Sequence, residues 1–497
     1  MIVAAKTSAR PSIKPRVLQV SAEVFPLVKT GGLADVAGAM PAALRQAGAD
    51  VRLLLPGLPA IRAALAGARS VGTLAPPWGG EPATLLLGTL LGGSAYVIEH
   101  SALYDRPGNP YHDAQHHAYA DNHRRFALLG LVAARLAEGL DRAWTPQVVH
   151  SHDWHAGLAP AYLAFSREAG RSNTRSVFTV HNLAYQGLFP ATTFVELGLP
   201  PQAFALQGAE FHGQLSFMKA GLHFADRITT VSPTYAREIQ QAELGCGLDG
   251  VLRQRSAVVS GILNGVDDAV WNPATDTVIA APYDRQHLAG KARCKAALQT
   301  ECGLELRRDA PLFAVVSRLT EQKGLHLLLA AVPLLLQRGG QLVVLGSGDA
   351  ALESGFAKAA AAHPQQVALR RGHDEALAHR MFAGSDVTLV PSRFEPCGLT
   401  QLYGLAYGSL PLVRRTGGLA DTVVDCTLED IADGTATGFV FDAFDVAGLE
   451  RGLRRAFTLW QRPREWRAVQ KTAMAQDFGW APSAQRYLAL YRMLLAM

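Results

Sequence analysis

Residues 17–55 read VLQVSAEVFPLVKTGGLADVAGAMPAALRQAGADVRLLL. The stretch opens on the apolar run Val17 to Val20 and closes on a second, Val51 to Leu55. Between them apolar residues stand at 33, 36, 37, 40, 44 and 47, which form one face of a helix. Two short apolar runs joined by an amphipathic helix predict a parallel sheet covered on both sides. The bend before the helix carries Lys29-Thr30-Gly31-Gly32. Glycines at a helix start let backbone N–H groups approach an oxyanion, and the helix dipole favours negative charge there. The lysine adds a full positive charge. The same four residues also suit a tight turn with a surface lysine, and the motif alone does not separate the two.

The rhythm continues outward. Val148-Val149, Ser176 to Val180 and Ile228 to Val231 read as strands in the first half. Leu312 to Val316, Leu342 to Leu345, Val387 to Val390 and Leu410 to Val413 do so in the second. The alternation therefore predicts an α/β fold class, with parallel sheets covered on both sides in each half. Each strand runs out into polar or glycine-rich residues. His150 to His155 come after Val149, and His181-Asn182 after Val180. Ser317-Arg318 come after Val316 with Lys323 close behind, Gly346 to Asp349 after Leu345, and Pro391 to Thr400 after Val390. Ligands of open α/β sheets bind outside the carboxyl ends of the strands.

Thr30-Gly31-Gly32-Leu33-Ala34-Asp35 recurs as Thr416-Gly417-Gly418-Leu419-Ala420-Asp421. Such an echo fits two similar domains with glycine loops turned to a shared cleft, or a coincidence among common small residues. The first domain is expected over 16–258 and the second over 259–475, with Ser260 to Gly265 as the crossover. Residues 476–497, ending in an apolar helix from Pro482, are expected to pack back on the first domain.

The chain has 497 residues, 49% of them hydrophobic and 18% charged, enough to bury sizeable cores and too apolar for a disordered chain. Leu325 to Leu336 is too short for a membrane span and contains His326 and Pro333, so it reads as a buried helix. Residues 1–15 lack the apolar core of a secretory signal and read as a flexible tail. Five scattered cysteines form no disulfide framework and suit reduced thiols in a cytoplasm. The net charge of +5 comes without a dense basic run or interleaved aromatics, which argues against a nucleic-acid partner.

Three constellations carry chemistry. Arg318 follows a strand and Lys323 is expected to begin the next helix; at that ligand edge they could clamp a pyrophosphate and stabilise it as a leaving group, or be two solvated charges. In Ser392-Arg393-Phe394-Glu395-Pro396-Cys397-Gly398-Leu399-Thr400, Pro396 keeps Glu395 out of an ordinary helical position. Gly398, Leu399 and Thr400 would turn helix-start N–H groups to a phosphate, with Glu395 beside the sugar that phosphate carries; the run also serves simply as a capping loop. His150, His152, Asp153 and His155 suggest a metal cluster at first sight. Alternation along a strand end sends 150 and 152 one way and 153 and 155 the other, so four convergent ligands are not expected.

These motifs together resemble those of bacterial glycogen synthases, and plant starch synthases share most of them. The resemblance rests on Lys29 to Asp35, His152 to Gly157, Thr179 to Asn182, Asn264 to Asp267, Ser317 to Gly324 and Pro391 to Gly404, and spans nearly the whole chain after residue 16. It implies the GT-B fold, two Rossmann-like domains about a deep cleft, and glucosyl transfer from ADP-glucose to an α-1,4-glucan with retained configuration and no metal. By motif position, Lys29, Gly31, Gly32, Asn264, Arg318 and Lys323 would hold the donor, with Glu395 and His181 at its glucose. Cys397, Gly398, Leu399 and Thr400 would line the phosphate and sugar edge. Asp35, Tyr111, Asp153 and Asn182 would line the glucan cleft.

Two positions depart from related patterns. Many retaining transferases carry a second glutamate eight residues after the first, where this chain has Tyr403, as glycogen synthases do. Bacterial relatives often have Tyr-His where this chain has His373-Asp374, so the ring expected to stack on the base is His373. Alternative readings are another retaining GT-B transferase of the sucrose- or trehalose-synthase type, or a glucan-binding relative without catalysis.

Overall fold

The computed structural model describes residues 14–497, so the tail reading of residues 1–13 lies outside the described residues. The described chain divides into two compact units. The first comprises the described residues through Thr230, then Ile239–Gly265 and Trp480–Met497; the second comprises Val231–Glu238 and Val266–Gly479.

In the first unit the strands are β1 (Arg16–Val20), β2 (Asp50–Pro56), β3 (Ala66–Leu74), β4 (Ala83–Leu90), β5 (Gly93–Glu99), β6 (Val148–His152) and β7 (Arg175–Val180). A small separate sheet comes next, made of β8 (Leu188–Pro190), β9 (Glu210–Phe211) and β10 (Gln214–Ser216). Strands β11 (Arg227–Thr230) and β12 (Val259–Gly261) then complete the main sheet, whose order is β12-β11-β7-β6-β1-β2-β5-β4-β3. Its core strands pair in parallel and are buried on both faces, which is why they read as continuous apolar runs. Strands β3 and β4 add an antiparallel edge that the apolar pattern did not mark, because β3 is mostly exposed.

The second unit repeats the plan with β13 (Leu312–Val316), β14 (Gln341–Leu345), β15 (Val367–Arg370), β16 (Val387–Val390), β17 (Leu410–Arg414) and β18 (Phe439–Phe441). All pair in parallel, in the order β15-β14-β13-β16-β17-β18.

Each sheet has one point at which the winding reverses. In the first, β1 pairs with β2 on one side and β6 on the other. In the second, β13 pairs with β14 on one side and β16 on the other. In doubly wound sheets, ligands bind in the crevice outside the carboxyl ends of such a strand pair.

The helix Gly32–Ala47 buries Leu33, Val36, Ala37, Met40 and Leu44, the face expected from its spacing, and stops at left-handed Gly48. Against it packs the helix Trp480–Leu495, whose Tyr487, Leu488, Tyr491 and Leu494 share a core with Val17, Met40 and Val148.

The unit boundaries differ from those expected. Strand β12 still pairs with β11, and the Ser483 hydroxyl donates to the Leu263 carbonyl at 2.6 Å, so the chain leaves the first unit after Gly265 rather than at 258. It returns at Trp480 rather than 476. Val231–Glu238 joins the second unit because Asp421 accepts from the amide and hydroxyl of Thr234, both at 2.7 Å, and Glu238 accepts from Thr416 and Gly417. Leu325–Gln337 is a helix containing Pro333, buried along Leu325, Leu328, Ala331 and Leu335. No helix among the described residues is long and apolar enough to cross a membrane.

Candidate functional site

At the reversal point of the first sheet, the chain leaving β1 runs through Glu23, which is 2% exposed. The Glu23 carboxylate accepts from the Thr30 amide at 2.6 Å, the Thr30 hydroxyl at 2.5 Å and the Tyr111 phenol. This one buried carboxylate fixes the Lys29-to-Gly32 loop against the strand. Lys29 Nζ donates to Asp35 Oδ1 at 2.9 Å and lies 4.9 Å over the Phe25 ring. Gly31 and Gly32 are exposed at the helix start. Tyr111 stacks on His155, ring centroids 4.5 Å apart, and burial beside Glu23 pushes its phenol well above the usual range.

Strand β6 ends beside β1 and delivers Asp153. Its φ of +60° and ψ of 179° lie in a region that only glycine occupies readily, a strain of about 1–3 kcal/mol of the kind that clusters at functional sites. Burial pushes its carboxyl up to about 8, against the lowering pull of the Trp154, Asn182 and His181 amides. From β7 come His181 and Asn182, whose Oδ1 accepts from the Ala184 amide. His152 Nδ1 lies 3.1 Å from His181 Nε2.

The four residues that suggest a metal cluster separate as the alternation requires. The rings of His150 and His152 lie 4.2 Å apart and tilted by 35°, while His155 stacks on Tyr111. His150 is held in the core by Tyr491 and Thr179. Among the described residues no group of three or more His, Cys, Asp or Glu is placed to hold a metal ion.

The reversal point of the second sheet gathers the other candidates. Arg318 leaves the end of β13 exposed. Lys323 closes the short turn Glu321–Lys323 rather than opening a helix, which begins at Leu325 after left-handed Gly324. A side chain at Gly324 would collide with the Pro391 carbonyl at the end of β16, so glycine lets the two strand ends meet. Lys323 Nζ donates to Glu395 Oε2 at 2.6 Å, and the Ser392 hydroxyl donates to the same oxygen at 2.9 Å. Glu395 is 7% exposed.

Cys397 is buried, and its carbonyl and that of Gly398 accept from Gln401 Nε2. Leu399 caps the helix Thr400–Ala406, and the Thr400 hydroxyl reaches the Val316 carbonyl at 3.4 Å, tying this helix start to β13. The second glycine loop packs on the same turn: the Gly418 amide donates to the Glu395 carbonyl at 3.0 Å. Both Thr-Gly-Gly loops are thus bound by a glutamate, Glu23 in one and Glu238 in the other.

Three candidates stand apart from this cluster. His373 is exposed, with Nε2 3.4 Å from the Glu375 carboxylate. Asn264 is buried and belongs to the first unit, not the second as the expected boundary implied. Tyr403 stacks on Trp271 at 3.8 Å and so packs the core instead of facing Glu395. Glu23 and Ser392 escaped the sequence reading. The available signal was a carboxylate or hydroxyl within three residues of a strand's carboxyl end.

Comparisons with known proteins agree with this layout. Residues 16–254 match the family model described as starch synthase catalytic domain, and residues 303–472 match that of glycosyl transferases group 1. A glycogen synthase of Variovorax paradoxus is 62% identical over 97% of this chain and 99% of its own length. One of Leptothrix cholodnii is 60% identical over 97% and 100%. The catalytic domain of starch synthase IV from Arabidopsis thaliana, solved with ADP and acarbose, superposes with a TM-score of 0.88 at 32% identity, covering 98% of this chain and 100% of that one. A sucrose-phosphate synthase from Thermosynechococcus elongatus, at 16% identity and a TM-score of 0.58, shares the fold.

The fold and these matches define a glycosyltransferase of the GT-B class. Within that class, the chain belongs to the glycogen synthase family.

Proposed function

We propose that the protein transfers glucose from ADP-glucose to the non-reducing end of an α-1,4-glucan with retention of configuration. The observation that carries this reading is the Lys323–Glu395 pair, 2.6 Å apart at the reversal point of the second sheet, beside Arg318 and the helix start at Thr400. A cation, a carboxylate and helix-end amides at one strand edge suit a sugar joined to a pyrophosphate. The ADP and acarbose bound by the similar starch synthase support the same pairing of nucleotide and glucan.

In this reading the bond between glucose C1 and the β-phosphate oxygen breaks while C1 bonds to the acceptor hydroxyl oxygen. Arg318 and Lys323 stabilise the charge growing on the departing phosphate, the part a divalent cation plays in other transferases. The departing phosphate takes the acceptor's proton on the same face, which preserves configuration without an enzyme base. Glu395 and His181 bind the donor glucose. Cys397, Gly398, Leu399 and Thr400 form the phosphate edge, and His373 offers a ring to the base. On the first unit, Lys29, Gly31, Gly32 and Asn264 contribute to holding the donor, and Asp35, Tyr111, Asp153 and Asn182 to holding the glucan. The assay is transfer of labelled glucose from ADP-glucose to glycogen, before and after exhaustive chelation. Activity in both states is expected; none in either would overturn the reading, and loss restored by Mg²⁺ would overturn the metal-free mechanism.

A further inference from the structure

His152 ends β6 in register with Thr179 of β7, His181 follows two residues beyond Thr179, and the two rings share one hydrogen bond, Nδ1 to Nε2 at 3.1 Å. A nitrogen-to-nitrogen hydrogen bond holds one proton, so the two tautomers are coupled. Both rings are kept neutral, because burial lowers their affinity for a second proton. Two arrangements satisfy that constraint. In one, His181 carries its proton on Nε2 and donates to His152, which must then carry its own on Nε2. In the other, His152 carries its proton on Nδ1 and donates, and His181 must then carry its own on Nδ1.

The surroundings of His152 separate them. Among the described residues its buried Nε2 has no hydrogen-bond partner, and the residue is 1% exposed. The first arrangement would leave an N–H there without an acceptor, whereas the second leaves only a lone pair. An orphaned buried donor is the rarer and costlier defect. The neighbouring ring prevents an easy escape: His150 spends both nitrogens, on Tyr491 at 2.7 Å and Thr179 at 2.6 Å, and its ring centroid lies 4.2 Å from that of His152.

We infer that His152 is a positioning residue that holds His181 as the Nδ1–H tautomer, so that His181 offers the site a hydrogen-bond donor and not a base. A fixed donor suits a sugar hydroxyl oxygen, and this last step rests on the proposed glucosyl transfer. An outer partner that sets an imidazole's tautomer is a recurring way to tune a functional histidine.

The test uses the full chain with ¹⁵N-labelled histidine, His181 being assigned by its absence in His181→Gln. Protonated Nδ1 and bare Nε2 are expected for His181 at pH 7.5. His152→Leu removes the donor and should shift His181 toward the Nε2–H form. His152→Asn, whose amide N–H stands near the position of Nδ1, should restore the wild-type signature. With ADP-glucose and glycogen, His152→Leu should lose about tenfold or more in kcat with little change in KM, and His152→Asn should recover most of it. A wild-type His181 carrying its proton on Nε2 would overturn the inference, as would identical signatures in the Leu and Asn variants. The wild-type spectrum decides even if His152→Leu does not fold. An Nδ1–H His181 in a protein without glucosyl transfer would sink the proposed function and leave the positioning role intact.

Discussion

Glu395 keeps its carboxylate under 10% exposed because Lys323 and Ser392 both donate to one oxygen. The arrangement uses the ammonium as a structural partner before any donor arrives and as a charge stabiliser once the pyrophosphate begins to leave. Lys323→Ala and Arg318→Ala should therefore each lower kcat about 10²-fold or more, the size of one lost oxyanion-type contact. Steady-state kinetics with ADP-glucose check this, and near-normal turnover in both variants would remove the assignment. His373 acts on a different quantity. Its ring is 75% exposed, open to a planar base. Stacking contributes about 1–3 kcal/mol per base, roughly a ten- to hundredfold preference for the larger purine. The ratio of kcat/KM for ADP-glucose over UDP-glucose should be of that order and fall toward one in His373→Ala. Equal wild-type values would defeat the donor assignment, whereas an unchanged ratio in the variant would defeat only the role of His373.

At the scale of elements, strands β6 and β7 carry an unusual load of titratable groups into the core. Burial holds the imidazoles of His150 and His181 down to about 3, and those of His152 and His155 well below the usual range. Unfolded, all four would titrate near 6.5. Their contribution to stability is therefore complete above that pH and is lost as pH falls toward the folded values. Asp153 runs the other way: its carboxyl is raised to about 8, so its contribution is present at low pH and is lost as pH rises through 8. Four groups outweigh one below pH 6.5. Urea unfolding should show stability rising from pH 5.0 to 6.5 and then falling toward pH 8 by up to about 1.4 kcal/mol per pH unit. His150→Gln should flatten the acid limb by up to about 1.4 kcal/mol per pH unit, the value of one linked proton. A pH-independent unfolding midpoint would contradict the burial of these rings.

The same strands show what a sequence makes legible. Strands β1, β2, β13 and β16 declare themselves because both faces are buried and nearly every residue is apolar. Strand β3, AGARSVGTL, lies exposed at an antiparallel edge and carries no such run. Strands β15 and β18 are only four and three residues long. Lys29, Arg318, Lys323 and Glu395 stood out because each comes soon after a strand. That they gather at the two reversal points depends on strand order, which no local pattern encodes. Glu23 hid for a related reason: its importance comes from Thr30 and from Tyr111, 88 residues away.

Across the whole molecule, the first unit is discontinuous and the second is nearly a single stretch. The helix Trp480–Leu495 gives the first unit Trp480, Tyr487, Leu488, Tyr491 and Leu494, each under 10% exposed. Burying a large apolar side chain contributes about 1.5–3 kcal/mol, so these five together match the ~5–15 kcal/mol by which a domain is stable. Truncation after Gly479 should unfold the first unit while the second keeps its own thermal transition. Calorimetry and limited proteolysis read the two separately, and a truncated chain with both transitions intact would show that the helix is dispensable.

That closing helix also sets an order of events during synthesis. Domains usually fold as units from the N-terminus while the chain is still being made. Here the second unit is complete in chain order at Gly479, whereas the first still lacks the helix Trp480–Leu495. The unit whose strands come earlier in the chain is therefore the one whose closing helix comes later. Until that helix docks, the apolar face of Val17, Met40 and Val148 awaits its cover, so a nascent chain that has been made only as far as Gly479 would display a sticky, chaperone-dependent surface.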